Sequence, residues 1–213
     1  MSEERAKIPR RRGDLVEGPE PGSTRERILN AAERLFAEQG YGNVSMPAIA
    51  AAAGITAGAI YKHFESKDEL FFHVVHRAVH ASQAAPAAGE PNRDLPRLIA
   101  RYTTERLKRG RQLAVEMHYA SAKHPKIRRL LRRSLEHDIA QIARDIAAAQ
   151  AEGRIDPTVD PMLQASAVMA FLMGLMHMET LLPERIGDKA WHDYVAAHVA
   201  TLLGMQAENS LQK

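Results

Sequence analysis

The stretch Ser45–Phe64, SMPAIAAAAGITAGAIYKHF, gathers groups that suit non-covalent recognition of a polyanion. Thr56, Tyr61, Lys62 and His63 offer hydroxyl, ammonium and imidazole groups, while Ala57 and Gly58 leave room for close approach. Groups of these kinds are among those that contact nucleic-acid backbones and base edges. The spacing says which elements must position them. Ser45 is a cap with Pro47 in the first turn, where a missing N–H costs little, and that helix runs to Ala53 before Gly54-Ile55 breaks it. Thr56 caps a second helix ending at His63. Small Ala50, four residues before Gly54, lets the two helices approach, and Ile49, Ile55 and Ile60 form their core. Two short helices around such a turn place the second where its N-terminal residues can enter a DNA major groove. A plain helical hairpin has the same spacing, so the pattern alone leaves both readings open.

Other clusters are weaker. His73, His76 and His80 approach one helical face, but no carboxylate completes a metal site within that helix. His177 with Glu179 and His192 with Asp193 are too close in sequence to face each other on a helix. Lys123, Lys126, Arg128, Arg129, Arg132 and Arg133 form a basic face, which reads as solvated or as a seat for an anionic effector or partner. No phosphate-cradling glycine loop, G-x-S-x-G or H-E-x-x-H is present. Nothing in the sequence asks for a cofactor or a metal, and a non-enzymatic role is expected.

The 213 residues hold no cysteine, which excludes disulfides, thiolate zinc sites and cysteine nucleophiles. Aromatics are only 5% and alanine is abundant, which favours helix over a β-sandwich. Net charge is +3, but unevenly spread: residues 93–133 hold thirteen Lys/Arg against three acids, and residues 134–213 five against eleven. Residues 1–22 carry Arg10, Arg11 and Arg12 among prolines and glycines and read as a flexible basic arm. They lack the apolar core of a signal peptide, and the most apolar stretch, Ala167–Met176, is shorter than the ~20 residues of a spanning helix. A soluble protein with no membrane partner is expected.

Order begins at Ser23-Thr24-Arg25-Glu26, a capping box ahead of a helix through Phe36 to Gly40. Ser66-Lys67-Asp68-Glu69 is a second box, opening a helix that fades at Ala85-Pro86. Further helices are expected from Leu95 to Gly110, from Leu113 to before Pro125, from Ile127 to Gly153, from Asp160-Pro161 to Leu182, and from Asp188 to Leu203. No segment alternates with period two. The fold class is all-α, with about nine helices.

The run A-x-x-x-G-I-T-x-G-x-I-Y-K-H-F-x-S-K-D-E-L, with T-R-E-R-I-L-N-A-A-x-x-L-F-x-x-x-G-Y upstream, resembles the N-terminal domain of TetR-type (tetracycline-repressor-type) transcriptional regulators. The likeness covers about residues 24–72. It implies an N-terminal three-helix DNA-binding domain over residues 23–70, its helix-turn-helix at 45–64, and a C-terminal helical ligand-binding and dimerisation domain over 71–213. Ser45 opens the positioning helix. Tyr61, His63 and Lys67 match positions that hold phosphates, as do Thr24 and Arg25 at the first helix's N-terminus, where free N–H groups suit that role. Thr56, Ala57, Gly58 and Lys62 match base-edge and groove-wall positions. Ala57 and Ala59 are small where relatives carry polar residues, so few side chains are left for base readout.

The resemblance further implies a cytoplasmic, bacterial, dimeric repressor of a palindromic operator, released by a small, largely apolar effector. Met162, Met169, Met173, Met176 and Met178 crowd a segment that is apolar on all sides, which asks for burial on all sides. In the family the last two helices pair between subunits, which assigns Met162, Phe171, Gly174, Trp191, Tyr194, Val195, His198 and Leu202 to the dimer interface. Tyr102, Met117, Leu135, Met169, Met173 and His177 are the expected pocket residues. A helical adaptor without DNA binding, or a small helical enzyme, is the competing reading.

Overall fold

The computed structural model describes residues 22–80, 104–185 and 189–203. Among these there are eight α-helices and no strand, so the chain is all-α as expected. They are α1 (Thr24–Gln39), α2 (Met46–Ala52), α3 (Ala57–Ile60), α4 (Lys67–His80), α5 (Lys108–Ser121), α6 (Pro125–Ala151), α7 (Pro161–Leu181) and α8 (Lys189–Leu202). The basic arm, most of the helix expected from Leu95, and Tyr102 lie outside the described residues.

The starts follow local chemistry. Ser23 Oγ accepts from Glu26 N at 3.2 Å, and the Glu26 carboxylate in turn accepts from Gly22 N. Asp160 accepts from the amides of Met162 and Leu163 at 2.8 and 3.0 Å, with Pro161 next in line. Both patterns quench the orphan N–H groups of a first turn.

Two cores hold the chain. The first joins Ile28, Leu29 and Phe36 of α1, Ile49 of α2, Ile60 of α3 and Phe71 and Val75 of α4 to Leu113 and Met117 of α5 and Ile127 of α6. It therefore runs from the N-terminal helices through α4 into α5 without a break. The second packs Ile146 and Ala149 of α6 against Ala165, Val168 and Leu172 of α7 and Val195 and Val199 of α8.

Gly110 departs from expectation. It ends no helix but sits in the first turn of α5, because α4 crosses it there. A Cβ at Gly110 would lie 2.8 Å from the Ala78 carbonyl oxygen. Small size at a helix crossing, rather than a helix stop, is what this glycine supplies.

Across the cores, Arg111 and Glu179 form a bidentate pair, with Nε to Oε2 at 2.5 Å and Nη2 to Oε1 at 2.6 Å. Both side chains are buried, and Arg111 Nη1 also donates to the Thr104 carbonyl at 2.6 Å. The pair fastens α5 to α7.

Candidate nucleic-acid interface

The helix-turn-helix is built from caps and one left-handed residue. Ser45 Oγ accepts from Ala48 N at 3.3 Å to start α2. At its end Ile55 N donates to Ala50 O at 3.0 Å and Gly54 N to Ala51 O at 3.1 Å, with Gly54 at φ +67°. This is the double closure that a glycine at positive φ permits. Thr56 Oγ1 then accepts from Ala59 N at 3.2 Å. Helix α3 is regular only over Ala57–Ile60. Tighter bonds, Lys62 N to Ala59 O and His63 N to Ile60 O, carry it through His63.

Burial sorts the sides. Ile49 and Ile60 are fully buried, Phe64 nearly so, and Ile55 packs at the edge. Thr56, Ala57, Gly58, Tyr61, Lys62 and His63 are all exposed, Tyr61 by 52%. Six residues that can face a ligand thus share one surface, backed by a closed core. Thr24 and Arg25 lie at the start of α1, and the Arg25 guanidinium stands 4.9 Å over the Phe64 ring. Burial holds its pKa below the ordinary value while Glu69 opposes that shift. The link between Arg25 and the end of the recognition helix was not visible in the sequence.

Lys67 is placed differently from its neighbours. Its Nζ donates to the carbonyls of Tyr41 and Val44 at 2.9 and 3.0 Å and lies 4.3 Å from the Tyr41 ring centroid. Two of its three N–H bonds are therefore turned inward. The physical reason is the turn after α1, whose carbonyls have no helical partner. Lys67 thus braces that turn, which leaves one N–H for the phosphate contact expected of it.

Tyr41 is a hub that sequence reasoning missed. Its ring stacks on Phe71 at 4.6 Å, its hydroxyl bonds Asp68, and its N–H donates to Glu116 of α5 at 2.5 Å. Burial and the Asp68 bond raise its pKa. His124 lies 3.6 Å from Asp68, and Lys126 bridges Glu65 and Glu69 at 3.5 and 3.3 Å. The head is thereby pinned to α5 and to the start of α6. A cavity of about 140 Å³ opens at this seam, lined by Phe36, Gly40, Arg109, Gln112, Leu113 and Glu116 among others. It contains none of the six expected pocket residues.

Of those six, Tyr102 lies outside the described residues and the other five differ in burial. Met117 is buried in the first core, which extends from the head into α5. Leu135, Met169 and Met173 are half-buried, and His177 is exposed. The His177 ring stacks 5.6 Å from His118, whose pKa burial lowers to about 4.

Of the expected interface residues, Met162, Gly174, Tyr194 and His198 are exposed, and Phe171 and Trp191 pack partly on the second core. Val195 is a correction: it is fully buried in its own chain, because the Val195–Val199 stripe of α8 closes onto α6 and α7. The side chain of Leu202 lies outside the described residues. Helix α7 is, by length and composition, long and apolar enough to cross a membrane. The sequence reading counted only its central run and missed this.

His76 and His80 face each other at 4.2 Å, and Asp138 of α6 stands 3.8 Å from His80. Among the described residues no three such side chains converge as a metal site.

A small helical head with an exposed second helix and a helical body define a helix-turn-helix regulator. Comparison with known proteins agrees. A family described as "Bacterial regulatory proteins, tetR family" matches residues 28–74, and one described as "BetI-type transcriptional repressor, C-terminal" matches residues 103–204. The transcriptional regulator UidR of Escherichia coli (strain K12) is 30% identical over 161 residues, covering 72% of this chain and 80% of UidR. AcrR of Shigella flexneri is 52% identical, but over 52 residues, so the chain spans only 24% of its length in that match. The SmeT–triclosan complex has the same fold, with a TM-score of 0.69 and 23% identity over 89% of this chain and 97% of SmeT. The chain belongs to the TetR family of bacterial transcriptional regulators. It is a DNA-binding regulator by family, and the family is not one of enzymes.

Proposed function

We propose that this chain represses transcription in the bacterial cytoplasm as a homodimer. Each subunit lays Thr56–His63 into the major groove of one half of an inverted repeat. The observation that carries this reading is the outward surface Thr56, Ala57, Gly58, Tyr61, Lys62 and His63 over a closed hydrophobic floor. Thr24 and Arg25 of α1 add phosphate contacts beside it, and Ser45 positions α2 across the groove. The exposed face of α7 and α8, with Met162, Gly174, Tyr194 and His198, supports pairing with a second copy.

A small, largely apolar effector bound among α5–α7, near Leu135, Met169 and Met173, releases the DNA. The adaptable thioethers suit such a ligand, and SmeT, which shares the fold, was solved with triclosan. The route to the head runs through the Glu116–Tyr41 bond and the Lys126–Glu65/Glu69 bridges. By linkage, an effector that releases operator must itself bind more weakly to the operator complex, by the same factor. Selection of bound duplexes from a random pool should return an inverted repeat with half-sites about one DNA turn (~34 Å) apart. Recovery of no enriched sequence would overturn the reading.

A further inference from the structure

The start of α6 carries charge against its own interest. Residues 123–133 include Lys123, Lys126, Arg128, Arg129, Arg132 and Arg133 and no carboxylate. A helix N-terminus is the positive end of the peptide dipole and favours anions. Arg128/Arg132 and Arg129/Arg133 are moreover like-charge neighbours at i, i+4, which repel. Ile127 is buried in the first core, so the four arginines, all exposed, occupy the opposite side of the helix.

Internal compensation covers only part of this. Lys126 is used by Glu65 and Glu69, and Arg132 by Glu136 at 2.7 Å. No carboxylate among the described residues pairs with Lys123, Arg128, Arg129 or Arg133. Mutually repelling cations with no carboxylate partner among the described residues suit the binding of an anion.

The location narrows which anion. Lys126 reaches Glu65, two residues past His63, and His124 reaches Asp68, so this end of α6 is clamped beside the recognition surface. From Arg128 to Arg133 the axis advances about 8 Å at 1.5 Å per residue, enough for guanidiniums along the strip to reach more than one phosphate. Guanidinium forks fit phosphate oxygens in pairs.

We propose that Lys123, Arg128, Arg129 and Arg133 form a second DNA surface, independent of base sequence, that holds phosphates of the duplex flanking each half-site. It rests on the reading of the chain as a DNA-binding regulator. A duplex seated on Thr56–His63 continues past the half-site, and the Lys126–Glu65 and His124–Asp68 contacts hold the start of this strip to the segment that follows the recognition helix.

The test compares wild type, the Arg128→Gln/Arg129→Gln/Arg133→Gln variant and the corresponding triple Lys variant. The probe is a mixed-sequence duplex of about 60 bp, titrated between about 50 and 200 mM NaCl, where the phosphate backbone dominates binding. The Gln variant should show a shallower dependence of log K on log salt, by about 0.9 for each phosphate it no longer neutralises, hence about 2 or more across two subunits. The Lys variant should keep the wild-type slope, and the Gln variant should unfold at no lower temperature than wild type. If the triple Gln variant loses its fold, the Arg129→Gln/Arg133→Gln pair carries the same slope test. Equal slopes for wild type and a folded Gln variant would overturn the proposal while leaving the regulator reading intact. Failure of wild type to bind any duplex would instead remove the reading on which it rests, and the strip with it. Binding to phosphatidylglycerol vesicles that the Gln variant loses, with no change in duplex slope, would assign the strip to a membrane and overturn it as well.

Discussion

The head and the C-terminal helix pair solve the problem of burial in opposite ways. In the head, Phe36, Phe64, Phe71 and Phe72 are almost completely enclosed by elements of the same chain. Its one large exposed ring, Tyr61, belongs to the recognition surface. In α7 and α8, Val168, Leu172 and Val195 are enclosed, yet Met162, Leu163, Met178, Leu181 and Tyr194 stand 45–73% exposed. A head complete in one chain can act as a rigid reader. A helix pair that leaves these large apolar side chains exposed within one chain fits the proposed pairing with a second copy.

The largest expected effect lies where α7 is tied to α5, the helix against which the head is pinned. Glu179→Ala would leave the Arg111 guanidinium buried without its carboxylate, a loss of about 3–5 kcal/mol in folding free energy. Urea unfolding measures it. The double change Arg111→Met/Glu179→Leu should recover most of that loss, since an apolar pair removes the buried charge altogether. A single-variant cost below ~1 kcal/mol would mean that α5 and α7 are held by apolar packing alone.

The next test asks whether the exposed side of α7 has a partner. Among the described residues of one chain, nothing lies within 4 Å of a Cβ placed on Gly174. Gly174→Arg is therefore tolerated by the subunit fold and opposed only by a second copy. Dimerisation should weaken by several kcal/mol, from a charge buried without compensation, while the thermal unfolding of the head is retained. A dimer that survives at micromolar concentration in sedimentation would place the interface elsewhere.

Acid should act mainly on the head and its seam with α5. Burial lowers the pKa of His73, His76 and His118 to about 4 from the ordinary 6.5. Arg25 and His76 add to the shift at His73; His80 and His137 add to it at His76, where Asp138 opposes; His177 adds to it at His118. The unfolded chain then takes up these protons first. The stability they confer is complete above about pH 6.5 and is lost as pH falls toward 4. Asp138, raised by burial, works in the opposite sense and offsets part of the loss. The urea midpoint should fall between pH 7.5 and 5, and His76→Gln should flatten that fall. A midpoint that does not move would show that these rings stay reachable by water in the folded protein.

Much of the head was legible in the sequence because its signals are local. Ser45, Thr56 and Gly54 act within a few residues of their own positions, and Ile49, Ile60 and Phe64 follow the helical period. What escaped depends on partners far along the chain. Lys67 looks like a surface cation until the carbonyls of Tyr41 and Val44 are brought beneath it. Gly110 looks like a helix stop until α4 crosses it. Glu179 did leave a trace, as the single acid in the 21 apolar-rich residues of α7, where a lone carboxylate demands a cation. Nothing short of the fold identifies that cation as Arg111. The body's apolar helices also blur the distinction between its own core and an interface, which is why Val195 was assigned to the wrong one.

The smallest expected effect divides two lysines of the head that look alike in sequence. Lys62 is exposed and projects from the recognition surface, whereas Lys67 is half-buried and directs two N–H bonds into the turn after α1. Lys62→Met should leave the unfolding midpoint within experimental error and weaken operator binding by about 1–3 kcal/mol if it contacts a base or a phosphate pair. Lys67→Met keeps the aliphatic stem over Tyr41 but strands two carbonyls, so it should cost about 1–2 kcal/mol of folding stability. Its salt slope on duplex DNA should stay close to that of wild type, because an ammonium committed to carbonyls releases few counterions from phosphates. The two variants therefore move different observables. If Lys67→Met instead lowers the salt slope by about 0.9 with no change in stability, its ammonium turns outward when DNA arrives. The turn after α1 would then be braced chiefly by Glu116 through the Tyr41 amide, and the head would be less complete in itself than its aromatic core suggests.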